Sequence, residues 1–488
     1  MSFILKSYLK LIKILIFLFP LFLISGPFFP DLFCIFIGLS YLFIYFKNDK
    51  FEQSEKNIGI FFILFYLYLN INSFLSFDII TSLKSSLPIV RIFIFIFALR
   101  FFFYTQKNIV TKLYVFFILC LTFLFIDSIY QLINNINLIG LVPASKDRIT
   151  SFFGSEQIMG SYIMRLIPCI LGLSFLTKIK RIEDINFLIL LAASTLVFLS
   201  GERLALVYLI IFLAMYFFIA FDKKKIIYFL IVISIIITSF NMISPNQAKK
   251  FIVHTYNQIT EKKTFFTSYR HLLHYRTAYS MFLEKPLIGH GLKSFRFLCS
   301  NTKYFDEEKI LEENKFISSY DGIFTTRLLN KNDLDNYVVS IIDNDGTLYD
   351  IDVYNIKRNL FVSKFQDGDV VKKGEILYQK YDYKNGCNTH PHNILLQFLS
   401  ELGLIGLIFL LTIFVYVLYN LYALTKKKLS NKFNNIDKAK FLILSGILIT
   451  IFPVFPSGNY FNNWLMIISY YPIGIYLYLL KLEMNNEK

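Results

Sequence analysis

Apolar residues along this chain form long blocks, and short polar segments separate the blocks. Most blocks run for about 18–25 residues, which is the length that a helix needs to cross the hydrocarbon core of a bilayer. They lie at 8–25, 31–46, 58–75, 87–104, 110–130, 157–176, 185–200, 203–221, 226–243, 394–423, 439–455 and 462–480. The pattern predicts an all-α polytopic membrane protein with about twelve transmembrane helices.

The composition agrees with this prediction. The 488 residues are 55% hydrophobic and only 17% charged, whereas soluble domains are about 25% charged. A net charge of +16 would ordinarily suggest a nucleic-acid partner. The lysines and arginines concentrate in alternate loops, however, as they do in the cytoplasmic loops of membrane proteins. We therefore interpret the charge as a topology signal, place both termini in the cytoplasm, and expect no nucleic-acid partner.

One segment breaks the alternation, because residues 244–393 form a long polar loop on the side opposite the basic loops. This loop divides the chain into an N-terminal bundle of about nine helices (1–243), the loop itself, and a C-terminal group of about three helices (394–488). All six histidines lie in the loop, namely His254, His271, His274, His290, His390 and His392. Their concentration predicts that any chemistry takes place on the outer, non-cytoplasmic face.

Two cysteines, Cys299 and Cys387, lie in the same loop. If the membrane is a bacterial inner membrane, the compartment outside it is oxidising, so we expect these two residues to form a disulfide. The alternative is a pair of buried thiols.

A β-rich insert is predicted at about 300–386. Residues 337–342 and 347–354 alternate in polarity around the turn Asp343-Asn-Asp-Gly346, which predicts a β-hairpin. The sequence Gly368–Leu377 resembles a turn of barrel-sandwich modules. A module of this kind could bind a protein partner.

Two further segments flank the insert. Residues 267–298 begin with helical periodicity that ends near Pro286, and this short helix carries His271, Tyr275 and Arg276. On the other side, His390 and His392 lie at the start of a membrane helix. They could bind a metal, but no cysteine or carboxylate accompanies them at ligand spacing, so we expect no metal and no other cofactor.

Arginines cluster near the outer ends of the apolar blocks. Arg148 and Arg165 flank or enter the sixth block, and the tight turn Ser200-Gly-Glu202-Arg203 joins the seventh to the eighth. Three arginines at one face predict a pocket for an anion such as a diphosphate. Alternatively, Arg203 could snorkel to the interface, and Arg165 could pair with Glu156 or Glu202.

Several of these segments, in this order, resemble the bacterial O-antigen ligase/O-antigen polymerase family. The resemblance extends over roughly residues 145–480, although the insert departs from the compact loop of the family. The segments that carry it are Arg148–Arg165, Ser200–Arg203, His271–Ala278, Pro286–Phe295, His390–Asn393, Glu401–Gly406, Pro456–Asn459 and Phe461–Trp464.

This resemblance implies a glycosyltransferase at the periplasmic face of the bacterial inner membrane. It would move a glycan from an undecaprenyl-diphosphate carrier to a hydroxyl of a glycan or of lipid A-core, without a metal. His392 would be the general base, with His390 as runner-up or positioning residue. The residues that would bind the substrates are Arg148, Arg165, Arg203, Glu202, His271, Tyr275 and Arg276.

Other functions stay open from the sequence. A lipid-linked oligosaccharide flippase would have a similar number of spans and a basic pocket, but would not need one loop that holds every histidine. A transporter should show paired halves, and a scaffold could use the insert alone. Polymerase and ligase differ only in the acceptor, which the sequence does not reveal.

The alternating basic loops make the topology testable. We expect single cysteines at positions 224 and 427 to be shielded in intact cells, and a cysteine at position 330 to be labelled, because the first two replace lysines of the basic loops. Labelling with a membrane-impermeant maleimide measures this. Labelling at 224 without labelling at 330 would contradict the predicted topology.

Overall fold

The computed structural model describes residues 3–106, 108–143, 148–243, 256, 269–304, 315–330, 333–355, 359–382 and 387–487. Most of these residues are helical. The helices are α1 (Phe3–Ile24), α2 (Phe28–Ser40), α3 (Gln53–Phe74), α4 (Ile79–Ser86), α5 (Val90–Thr105), α6 (Ile109–Asn134), α7 (Met159–Ser174), α8 (Ile182–Ser200), α9 (Arg203–Ala220), α10 (Lys223–Ile243), α11 (Tyr269–Glu284), α12 (Phe295–Leu298), α13 (Ile394–Leu429), α14 (Asn435–Ile451) and α15 (Asn463–Glu487). Each apolar block of the sequence coincides with one of them.

Seven helical segments within the described ranges are long and apolar enough to cross a membrane. They are Gln53–Phe74, Ile79–Thr105, Ile109–Asn134, Ile182–Ser200, Arg203–Ala220, Ile394–Leu429 and Asn463–Asn485. The helix Met159–Ser174 is apolar but shorter, and its 16 residues would span only about 24 Å of a core about 30 Å thick. A mostly helical chain with several helices able to cross a membrane is therefore confirmed, whereas twelve spans and the side of the long loop stay predictions.

Small residues allow the helices of the core to approach closely. A Cβ atom added to Gly474 of α15 would lie 2.9 Å from Cβ of Leu99 on α5. The same test at Gly446 of α14 places the added atom 2.6 Å from Cβ of Pro168 on α7. Glycine at these contacts is typical of helices that pack in a membrane without a hydrophobic driving force.

Helix α13 is broken at Gly403, whose backbone angles are φ 64° and ψ −164°. The break frees the N–H groups of Leu404 and Ile405, which donate instead to the carbonyl oxygens of Pro286 (2.8 Å) and Leu287 (3.2 Å). We call residues 286–291 the wedge loop. It is inserted into the broken helix, because a Cβ atom at Gly403 would lie 2.4 Å from the oxygen of Leu287.

The wedge loop also contacts the upstream half of α13 and the end of α3. His290 N donates to Ser400 O and Gly291 N donates to Glu401 O, at 3.0 and 2.8 Å. From the other side, the N–H of Phe77, just after α3, donates to the oxygen of His290. Three separate parts of the chain are thus held together at this point.

The described strands lie within the predicted insert. They are β1 (Lys315–Ile317), β2 (Gly322–Asn330), β3 (Asp333–Ile342), β4 (Leu348–Asn355), β5 (Asn359–Ser363), β6 (Val370–Val371) and β7 (Ile376–Asp382). Two antiparallel sheets form, in the orders β4-β3-β2-β6 and β1-β7-β5. The hairpin predicted around Asp343–Gly346 is confirmed, since β3 pairs with β4 from Ile342–Leu348 to Asn336–Asn355.

The break in α13 predicts that Gly403→Ala destabilises the protein. Only glycine readily adopts these backbone angles, and another residue costs on the order of 1–3 kcal/mol there; the clash with Leu287 adds to this cost. The melting temperature of the detergent-solubilised protein should therefore fall. Gly59→Ala in α3 is the matched control, because its added Cβ meets nothing closer than 3.4 Å. Equal melting temperatures for the two variants would contradict the role of the break.

Candidate active site

Two segments bring histidines to one place. Helix α11 carries His271, His274 and Tyr275 within little more than one turn, so these side chains lie toward the same side. The returning chain carries His390 and His392 immediately before α13, where the side chain of Asn393 accepts from Leu396 N (3.0 Å) and caps the helix. His392 has a positive φ of 56°, which turns the chain sharply before the cap.

Four imidazole rings form a compact cluster around His392. Its ring centroid lies 5.0 Å from that of His271, 5.1 Å from that of His274 and 4.1 Å from that of His390. The hydroxyl of Tyr275 donates to the carbonyl oxygen of His392 at 3.4 Å. The cluster was not predicted as a unit, since His274 had no assigned role.

Hydrogen bonds distinguish the two histidines of the returning segment. His390 Nε2 lies 3.3 Å from the carbonyl oxygen of Ser457, which can only accept, so Nε2 carries the proton. His390 Nδ1 then accepts from the hydroxyl of Thr389 at 3.0 Å. Both ring nitrogens of His390 are therefore occupied by the protein itself.

The Nε2 atom of His392, unlike that of His390, carries no proton. It lies 2.8 Å from Nδ2 of Asn388, whose Oδ1 is already engaged by the N–H of Thr389 at 2.7 Å. The amide nitrogen therefore faces His392, and Nε2 is an unprotonated acceptor. His392 is also partly exposed, whereas only 8% of His390 is exposed.

Burial keeps these imidazoles neutral. It lowers the pKa of His274 to about 3, with the neighbouring His271 and His390 as further causes. It lowers the pKa of His390 to about 4 and is the largest cause of the lowered pKa of His392, ahead of the adjacent His390 and His274. At neutral pH the cluster is a set of uncharged acceptors and donors.

A second group of polar side chains surrounds the start of α7. The carboxylate of Glu202 accepts from Gly160 N (2.6 Å) and from the hydroxyl of Ser161 (2.7 Å), and thereby caps that helix. Arg165 lies one turn further along α7 and donates from Nη1 to the backbone carbonyl oxygen of Ser161 at 3.0 Å. Arg165 also attracts Glu202 electrostatically, as the alternative interpretation of its sequence position proposed.

Arg148 and Arg203 lie next to this group. The chain after Arg148 follows the end of α8, since Ile149 N donates to Leu199 O at 3.0 Å. The two guanidinium groups are close enough to repel each other. Like charges held together need an anion between them or solvent around them.

The arginine group and the histidine cluster are connected through α9. Tyr208 interacts electrostatically with Arg165 and with Tyr275, and its ring lies 6.0 Å from that of Phe455. Ser457, two residues after Phe455, donates its backbone N–H to the carbonyl oxygen of His392 at 2.8 Å. Tyr208 thus lies near both Arg165 and Tyr275, and Tyr275 contacts the backbone of His392.

Three charged residues near the cluster were not among the predicted site residues. Glu401 is fully buried in α13 and attracts both Lys293 and Arg296, which follow the wedge loop. Arg296 also acts on His390 electrostatically. A signal existed for two of them, because Lys293 and Glu401 lie in segments that carry the family resemblance.

Unsatisfied donors point to an anionic ligand. The Nε atoms of Arg165 and Arg296 are buried without a hydrogen-bond partner in the part of the chain that the structure describes. Buried donors normally have partners, and phosphate oxygens match guanidinium groups well. Among the same described residues, no three histidine, cysteine or acidic side chains are arranged to hold a metal ion.

The remaining predicted residues occupy different positions. Arg276 is exposed on α11, away from the face that carries His274, so its role in binding stays a prediction. Cys299 and Cys387 are bonded in the structure, with Cα atoms 5.0 Å apart. This bond lies beside the cluster, three residues before His390. His254 falls outside the described residues.

Neutral buried histidines predict a pH-dependent stability. An unfolded histidine binds a proton below pH 6.5 or so, whereas folded His274 and His390 do so only near 3 and 4. The free energy of unfolding should therefore fall by about 1.4 kcal/mol per histidine for each pH unit below 6.5, down to the folded pKa. Melting temperatures between pH 7.5 and 5 measure this. His274→Phe should reduce the slope, and an unchanged slope would show that His274 is not buried neutral.

Comparison with known proteins extends this description. No curated protein matches the chain. Residues 188–323, which run from α8 through α11 into β2, match the model of a family described as O-antigen ligase. Together with the apolar helices, the match indicates a multi-pass membrane protein with a function of the O-antigen ligase/polymerase type. The resemblance of this chain to the O-antigen ligase/O-antigen polymerase family is thus confirmed over residues 188–323.

Proposed function

We propose that the chain is a glycosyltransferase that moves a glycan from undecaprenyl diphosphate to a sugar hydroxyl at the periplasmic face of the inner membrane. His392 is the general base, and Arg148, Arg165 and Arg203 bind the diphosphate. The observation that carries the proposal is His392, an unprotonated and partly exposed imidazole whose carbonyl oxygen accepts from Tyr275. Tyr275 shares the neighbour Tyr208 with Arg165, a buried arginine with an unsatisfied donor.

The choice of His392 over His390 follows from their hydrogen bonds. A general base needs a lone pair that a substrate hydroxyl can reach. His390 uses both ring nitrogens within the protein, and it is more buried. At His392 the acceptor hydroxyl needs only to displace the amide of Asn388 from Nε2. His390 is then a positioning residue that packs against the base.

The reaction assigns one role to each group. His392 Nε2 takes the proton of the acceptor hydroxyl while the oxygen forms a bond to the anomeric carbon of the donor glycan. The bond from that carbon to the diphosphate breaks, and its electron pair leaves with the diphosphate oxygen. Arginines stay charged at every relevant pH, so Arg148, Arg165 and Arg203 stabilise the negative charge that develops there. The resemblance to the family implies inversion at the anomeric carbon.

Binding of the donor would also activate the base. The burial that keeps His392 neutral also makes it a weak base. A diphosphate held by the nearby arginines brings negative charge, which favours the imidazolium and raises the pKa of His392. The base would thus reach useful strength only when the donor is in place.

Replacement of the two histidines should separate these roles. His392→Ala should lower transfer by about 10²–10⁴-fold, the usual loss for a positioned general base, with donor binding retained. His390→Ala should cost less, because the bond from Ser457 N to His392 O survives the change. Lipopolysaccharide from a complemented deletion strain measures both. Core capped with one repeat would identify a polymerase, whereas accumulated lipid-linked polymer would identify a ligase.

Arg203→Lys provides the comparison on the donor side. It keeps the charge but loses the two-pronged guanidinium, so donor binding and stabilisation of the leaving diphosphate should both weaken, and kcat/KM for the donor should fall. Full activity of a variant that lacks both histidines would rule out histidine base catalysis. A smaller effect at His392 than at His390 would move the base to His390.

A further inference from the structure

A separate feature lies at the other end of the helical bundle, where the basic loops are. Helix α2 widens there into a π-helical turn at Tyr41–Tyr45. Such turns are rare and are often found at functional positions. Arg100 of α5 is fully buried behind this turn and binds Glu55 of α3 at 2.8 and 2.9 Å, together with Asp49.

The buried charges at this end balance one another. Asp49 accepts from the hydroxyl of Tyr41 (2.6 Å) and pairs with Lys481 of α15 (3.4 Å). Arg100 lies 4.6 Å over the ring of Phe51. Two cations and two carboxylates thus form a neutral network that ties α2, α3, α5 and α15 together, with Tyr41 and Phe51 between it and the surface.

An apolar groove of about 450 Å³ lies directly outside this network. Its wall comes from the end of α2, from α3 and from α5, and Gly59 leaves the space open. Ile60 and Ile63, which also line the groove, are 54% and 60% exposed. Since α3 is one of the helices able to cross a membrane, the groove opens toward lipid and not toward the protein core.

The length of the groove matches one lipid chain. On α3 the lining extends from Glu55 to Tyr66, which is about 16 Å at 1.5 Å per residue. Half of a hydrocarbon core of about 30 Å is about 15 Å. A fatty acyl chain of the adjacent leaflet would therefore fill the groove from its polar end to the middle of the bilayer.

The charge at the polar end is positive. Lys56 lines the groove and is exposed, and Lys47 and Lys50 are exposed in the preceding loop. These three lysines outnumber the nearby carboxylate of Glu52. We propose that the groove binds an anionic phospholipid, with one acyl chain against Ile60 and Ile63 and the phosphate against Lys56. This site is independent of the proposed glycan transfer.

Quenching of a single tryptophan by brominated lipid tests this proposal. The chain has one tryptophan, Trp464, so Trp464→Phe gives a silent background for the reporter Ile60→Trp. Ile231→Trp on α10 is the matched control, because it is 53% exposed and also follows a basic loop, but does not line the groove. Each protein is placed in phosphatidylcholine vesicles with dibrominated phosphatidylglycerol or dibrominated phosphatidylcholine as the quencher.

The reporter at position 60 should prefer phosphatidylglycerol over phosphatidylcholine by about five-fold or more, since one lysine near an anionic lipid contributes about 1 kcal/mol. The preference at position 231 should be smaller. Lys56→Gln should reduce the preference at position 60 alone, and Gly59→Leu, which fills the groove, should abolish it. Equal preferences at the two positions would show that ordinary surrounding lipid occupies the groove, and the proposal would be wrong.

Discussion

The break in α13 at Gly403 organises the part of this protein that carries the histidines. A membrane helix that loses backbone hydrogen bonds must replace them, because the hydrocarbon core offers none. Here the wedge loop supplies two carbonyl oxygens to the freed N–H groups, and its own N–H groups at His290 and Gly291 donate to the carbonyl oxygens of Ser400 and Glu401. The helix and the loop are therefore stable only together.

This constraint places the candidate active site. Helix α11 precedes the wedge loop, and Lys293 and Arg296 follow it. A fixed wedge loop therefore fixes the position of the helix and of these two residues. The start of α13 is held in turn by the segment between α14 and α15. The capping residue Asn393 donates from Nδ2 to Pro453 O, and Gln397 of α13 accepts from Tyr460 N. The histidine cluster consequently has rigid support from helices on both sides, which suits a base that must stay in register with a bound substrate.

Much of this could be predicted from the sequence. The apolar blocks gave the helix positions because backbone hydrogen bonds in a bilayer have to be local, and the hairpin followed from alternation around Asp343–Gly346. The grouping of histidines in one loop indicated where the candidate chemistry lies. Residues 394–423, in contrast, resembled one continuous helix, since the partners of Leu404 and Ile405 are distant in sequence.

The same reason explains the residues that were missed. Tyr208 is ordinary within its own segment, and it matters only through contacts with other parts of the chain. Local patterns identify the elements, whereas the site depends on contacts between them.

The bond between Cys299 and Cys387 has a consequence for how this chain could change over time. Cys299 precedes the insert and Cys387 follows it, and their Cα atoms lie only 5.0 Å apart. A segment whose ends meet in this way can lengthen, shorten or be exchanged without moving the helices that flank it. The insert is therefore free to diversify between related proteins, while α11 and the start of α13 keep the same spacing.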